Sequence, residues 1–207
     1  MALASHEDLS KDQIGGTVNK DLLRFGFWCC IIEAIAGIPM TIMGVASGLK
    51  LLNEPNHLAF AFFNTTFQAV QIIICFVTID ILQNIIGNRR YSWIFYAYMI
   101  LCVFSISSEF INIYTPSLSK VGGIFLLIYE VPLVIVFAAC FYKMRKLATP
   151  FGKLWKRYCI INVIQAICAL SIILSPIALL LDIVTSILLA RIINKSLKPN
   201  FPSAISQ

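Results

Sequence analysis

Four long apolar runs, Phe25–Leu49, Ala59–Ile86, Tyr91–Tyr114 and Val121–Tyr142, constrain this sequence more than any other feature. Each reaches the roughly 20 residues that an α-helix needs to cross a hydrocarbon core of about 30 Å. The connections 50–58, 87–90 and 115–120 are short and hold turn formers such as Asn53, Pro55, Gly87, Asn88 and Pro116, so neighbouring helices are expected to run antiparallel. Composition agrees. With 59% hydrophobic and 13% charged residues in a 207-residue chain, the apolar side chains are too many to hide inside a water-soluble globule.

The last apolar stretch, Tyr158–Ile193, would be about 54 Å long as one helix. Ser175-Pro176 falls in its middle, where a proline kinks a helix or ends it. Two readings follow: one long kinked helix and five crossings, or two short crossings, 158–174 and 177–193, and six. Charge separates them. With six crossings and the N-terminus inside, 14 basic residues fall on cytosolic segments and two, Lys50 and Lys120, outside; with five the split is 11 to 5. The positive-inside rule favours six helices with both termini cytosolic. The expectation is an all-α polytopic membrane protein: a polar cytosolic tail 1–24, a single helical bundle 25–193 and a cytosolic tail 194–207. Residues 1–20 lack the apolar core of a signal peptide, so a cleavable leader is not expected.

The segment Lys143–Arg157 holds six basic residues and no acid, with Phe151, Leu154, Trp155 and Tyr158 at helical spacing. That pattern suits a short interfacial helix, with Lys143, Arg145, Lys146, Lys153, Trp155, Lys156 and Arg157 against anionic lipid headgroups at the cytosolic face. Plain topology anchoring explains the same charges. The net charge of +6 is read as a topology determinant, and no nucleic-acid motif accompanies it.

Five of the ten acidic residues, Glu33, Asp80, Glu109, Glu130 and Asp182, fall within the expected spans, and no lysine or arginine lies deep in any of them. Carboxyls so placed must be protonated, hydrogen-bonded to neutral groups, or turned toward water or a mobile cation. Glu33 and Glu130 are expected near the midplane, Glu109 and Asp182 toward the outer side, and Asp80 toward the inner side. The five are candidates for proton or cation binding; five separate, locally satisfied acids are the alternative. Polar residues also form helix faces: Asn64, Gln68 and Gln71; Ser105, Ser108 and Asn112 beside Glu109; Asn162 and Gln165. Their ordinary role is interhelical packing. Gly37, Gly44 and Gly48 give the first helix one small-residue side for close approach. Pro39 and Pro132 interrupt the helices of the two midplane glutamates.

Cys29, Cys30, Cys75, Cys102, Cys140, Cys159 and Cys168 all lie in or beside apolar runs, and no C-x-x-C occurs, so they read as small buried hydrophobes. Cys29, Cys30, Cys140 and Cys159 are near cytosolic edges, where S-acylation is a weaker alternative. The two histidines, His6 and His57, are expected outside the spans, which disfavours haem, a serine–histidine dyad or histidine-rich metal catalysis. No cofactor is expected.

Three function classes fit. A proton- or cation-linked transporter or channel-like protein accounts best for buried charge that is acidic alone. A membrane scaffold, adaptor or assembly subunit, acting as a homo-oligomer or with a partner membrane protein, would use the polar faces as grips. A lipid-modifying enzyme comes third, for want of a nucleophile or phosphate-binding motif. The first two separate on whether the acids converge on one cavity or scatter.

Overall fold

In the computed structural model the described residues are 18–48, 54–114, 119–171 and 174–198. They form six α-helices, α1 Lys20–Gly48, α2 Glu54–Asp80, α3 Ser92–Tyr114, α4 Ser119–Met144, α5 Lys153–Ala169 and α6 Ser175–Ser196, with no strand among the described residues. A π-helical turn, Ile81–Ile85, prolongs α2. Gly87, at φ 71, then turns the chain in a conformation that side-chain-bearing residues rarely adopt.

Local chemistry sets several of these ends. The Asn19 side-chain oxygen accepts the Leu22 N–H at 3.0 Å and caps α1. The final apolar stretch is two helices. At the end of α5 the Leu170 and Ser171 N–H groups close on the Ala166 and Cys168 carbonyls at 3.3 and 3.1 Å. α6 begins on Ser175-Pro176, placing the proline in the first turn, where its missing N–H had no intrahelical partner to lose.

Each helix packs against its neighbours in sequence, and α1 also packs extensively against α6, which closes the six into a ring. Alternating helix direction is visible in the core. The most deeply buried side chains come from the start of α1 (Leu23), the π-turn (Ile81, Leu82), the starts of α3 and α5 (Ile94, Trp155), and the ends of α4 and α6 (Phe141, Met144, Ile192, Ile193). They meet at one end of the bundle, hereafter the basal end.

α1 illustrates how sequence assigns its faces. Phe25, Trp28, Ile32, Ile35, Ile38 and Ile42 are exposed along one side, while Gly26, Cys30, Glu33 and Gly37 share the opposite, buried side. A Cβ on Gly37 would stand 2.8 Å from Ile183 and one on Gly26 2.3 Å from Val77, so these glycines set how closely α1 approaches α6 and α2. The surroundings of Gly44 and Gly48 lie outside the described residues.

Three segments, Lys20–Pro39, Ala61–Ile85 and Pro176–Ser196, are long and apolar enough to cross a membrane, and Ser92–Ser108 is a shorter apolar helix. All seven cysteines are free and buried, and those near the basal end, Cys29, Cys30, Cys140 and Cys159, are at most 8% exposed. Acylation would need them at the surface.

The Lys143–Arg157 segment corrects one expectation. It is not a separate interfacial helix but the end of α4, a turn and the start of α5. Trp155 does not face lipid headgroups: it is fully buried, stacks near Phe151 and Tyr158, and donates its indole N–H to the Met144 carbonyl at 3.0 Å. The apolar stripe looks into the ring because the α4–α5 turn needs a filled corner. Lys143, Lys146, Lys153, Lys156 and Arg157 remain exposed, and the Arg145 guanidinium lies 3.8 Å from the Tyr142 ring centroid.

Candidate functional site

Counted from the basal end, Glu33 is 13 residues along α1, Gln165 is 12 along α5, and Asp182 and Glu130 are each 14 along α6 and α4; Gln71 is 14 from the end of the π-turn. At 1.5 Å per residue these positions share one level, about 18–21 Å above that end. Side chains from five helices join there into one hydrogen-bonded layer.

Gln71 is its hinge. Its Nε2 donates to Glu33 Oε1 at 2.9 Å and lies 3.4 Å from Asp182 Oδ2, so a single amide stands between the two acids. The Tyr98 hydroxyl donates to Gln71 Oε1, which directs the NH₂ end of that amide toward the carboxyls. Gln165 Nε2 donates to Asp182 Oδ1 at 2.8 Å. Ser186 Oγ lies 2.6 Å from Glu33 Oε2 and 2.9 Å from the Asp182 carbonyl. The shorter contact gives the Ser186 proton to Glu33, while Thr185 Oγ1 donates to the same Asp182 carbonyl at 2.8 Å.

Each carboxylate oxygen of Glu33 and Asp182 thus faces one neutral donor. No lysine, arginine or histidine among the described residues contacts either acid. Neutral donors orient a buried carboxyl without cancelling its charge. Such a pair can hold a proton or a cation.

Glu33, Asp182 and Gln71 line a cavity of about 190 Å³ to which all six helices contribute. Glu130 lines it too, from α4, yet is exposed and bonds to no described residue, so the cavity opens on that side. On the basal side Phe95, Phe137, Phe141, Tyr158 and Trp155 form a continuous run of ring contacts, with Phe137 and Phe141 centroids 4.5 Å apart. Of these, Phe95, Phe137 and Tyr158 line the cavity, with Phe141 and Trp155 packed behind them. Among the described residues no group of three or more His, Cys, Asp or Glu side chains could hold a metal ion.

The remaining expected residues divide. Asp182, expected toward the outer side, stands at the level of Glu33. Asp80 is elsewhere, near the basal end, where Asn84 Nδ2 donates to its Oδ1 at 2.6 Å. The side chains of Glu109 and Asn112 lie outside the described residues. Of the α2 face only Gln71 enters the layer; Asn64 and Gln68 are half-buried and do not line the cavity, nor do Ser105 and Ser108. Asn162 lines it while donating to the Tyr158 carbonyl of its own helix at 2.9 Å. Sequence reasoning missed Tyr98, Thr185 and Ser186. Thr185 and Ser186 follow Asp182 by three and four residues, a spacing that could have disclosed them.

Compared with known proteins, the chain matches no family model, no curated protein and no solved structure.

Proposed function

We propose that this chain is a multi-pass membrane protein of six crossings, both tails cytosolic, that moves a proton or a cation through a carboxyl site at the centre of the helix ring. The observation that carries the reading is the placement of Glu33 and Asp182 on either side of Gln71, in a central cavity and with no basic partner among the described residues. Three further facts support it. The exposed faces of α1 and α6 are apolar, as lipid contact requires. Exposed basic residues from α1, the α2–α3 turn, the α4–α5 turn and the end of α6 gather at the basal end, which suits a cytosolic face with anionic headgroups. Glu33, Gln71, Gln165, Asp182 and Ser186 hydrogen-bond to one another inside the ring rather than facing outward toward a partner helix.

Flux through proteoliposomes of the full chain tests this, read with an internal pH dye and with cation gradients. Glu33→Gln and Asp182→Asn should each lower wild-type flux at least tenfold while the protein still purifies as a folded species. Normal flux in both variants, or a wild type that moves nothing while retaining a stoichiometric membrane partner, would put the scaffold role in its place.

A further inference from the structure

The central cavity carries more information than its acids. Four aromatic rings line it, Phe95, Tyr98, Phe137 and Tyr158, and they brace one another: Phe137 is 6.0 Å from Phe95 and 5.7 Å from Tyr98, centroid to centroid. Ring faces attract cations, and the attraction grows where water is excluded. The carboxylate oxygens of Glu33 and Asp182 each accept one hydrogen bond and keep a second lone pair for another N–H donor. Space is the third element. A volume of about 190 Å³ is far more than a bare metal ion fills, and a closed apolar cavity of about 150 Å³ is enough to admit benzene.

We propose that this cavity binds a small organic ammonium ion, with its N–H groups on Glu33 and Asp182 and its carbon skeleton against the Phe95, Tyr98, Phe137 and Tyr158 rings. The inference rests on the cation-handling reading above and names the ligand class for it. Inorganic monovalent ions fit less well, because they would set a water shell against the Phe95 and Phe137 rings, which cannot hydrogen-bond it. Scaling from benzene, the cavity takes roughly eight non-hydrogen atoms.

Calorimetric titration of the full-length protein in neutral-lipid nanodiscs tests the assignment with four probes: butylammonium, benzylammonium, tetrabutylammonium and sodium. Butylammonium and benzylammonium should bind saturably at one site, displace each other, and resist a hundredfold excess of sodium. Tetrabutylammonium, too large for the cavity, should neither bind nor compete. Asp182→Asn should weaken benzylammonium at least tenfold, and Phe137→Leu at least threefold. The inference is overturned if the two small ammonium ions bind wild type no better than sodium, or if tetrabutylammonium binds as well as butylammonium. It is also overturned if Asp182→Asn changes nothing in a folded variant. The wild-type size series decides the matter even where a variant does not fold. Absent ammonium binding, with proton or metal-cation flux still abolished by Glu33→Gln, removes this ligand class alone; flux indifferent to Glu33→Gln removes the transport reading beneath it.

Discussion

Gln71 Nε2 donates to Glu33 Oε1 at 2.9 Å, tying the middle of α2 to the middle of α1 across 38 residues of sequence. Among the described residues the same amide is the one side-chain donor that the Glu33 and Asp182 carboxyls share. Gln71→Met keeps the length of the side chain and removes the donor, and it should lower stability in detergent by about 1.5–3 kcal/mol, the range for a lost hydrogen bond to a charged group. Tyr98→Phe should cost about 1 kcal/mol by releasing the amide oxygen. Because both act through one amide, the double variant should cost less than the two singles together, with a coupling of about 0.5 kcal/mol or more. Strict additivity in thermal unfolding would mean that Tyr98 does not act through Gln71.

Glu33→Gln is expected to fold well, for a reason specific to Ser186. The new NH₂ can replace Oε2 and donate to Ser186 Oγ, whose hydroxyl rotates toward the Asp182 carbonyl 2.9 Å away. Stability should stay within about 1 kcal/mol of wild type. In Ser186→Ala that acceptor is gone, so adding Glu33→Gln there should be distinctly more damaging than in wild type; equal damage in both backgrounds would argue against the rotation.

Much of the architecture is legible in the sequence, and the reasons are local. Run length reports the helices, and Ser175-Pro176 reports the break between the last two because a proline is at ease only in a first turn. What escapes is the relation between helices. A helical wheel shows that Ser105, Ser108 and Glu109 share a face, but not which neighbour that face meets. Glu33 and Asp182 are 149 residues apart in the numbering, and only the closing of α1 onto α6 brings them together. Trp155 shows the same limit: its stripe with Phe151 and Tyr158 has one period whether it faces headgroups or a core. Tyr98 reads as one more aromatic in an apolar run.

Of Gly26 and Gly37, Gly26 should be the less replaceable. The Cβ of Gly26→Ala would come within 2.3 Å of a Val77 methyl and 3.1 Å of its Cβ, and a β-branched side chain has no easy rotamer to retreat into. A loss of about 1–3 kcal/mol is expected, as for other overpacked contacts. Val77→Ala in the same chain should restore most of it. If the double variant is no more stable than Gly26→Ala alone, the contact is not the cause.

The basal corner separates packing from surface charge. Trp155→Ala should cost about 3–5 kcal/mol, since the ring is buried and its N–H is satisfied. Neutralising Lys153, Lys156 and Arg157 together should leave thermal stability nearly unchanged and weaken association with anionic vesicles by up to about 1 kcal/mol per charge. Flotation with vesicles of graded anionic-lipid content compares the two; equal binding by wild type and the triple variant would leave these charges a topological role only.

Topology can be read by thiol labelling with little interference, because all seven native cysteines are buried. Ser5→Cys and Ser203→Cys should label from the same side of sealed vesicles, as six crossings demand. Labelling from opposite sides would mean that the bundle crosses an odd number of times.

The ring has an order of assembly written into it. α1 is synthesised before the other five helices and carries Glu33, but the hydroxyl that meets Glu33 Oε2 belongs to Ser186 on α6, 153 residues later. Until α6 arrives, the first helix holds a carboxyl with one of its described donors missing and a glycine face, at Gly37, with no Ile183 to close on it. The nascent bundle therefore remains open along one side throughout the synthesis of four intervening helices. The contacts between α6 and α1 close the ring and complete the described donor set of Glu33 together.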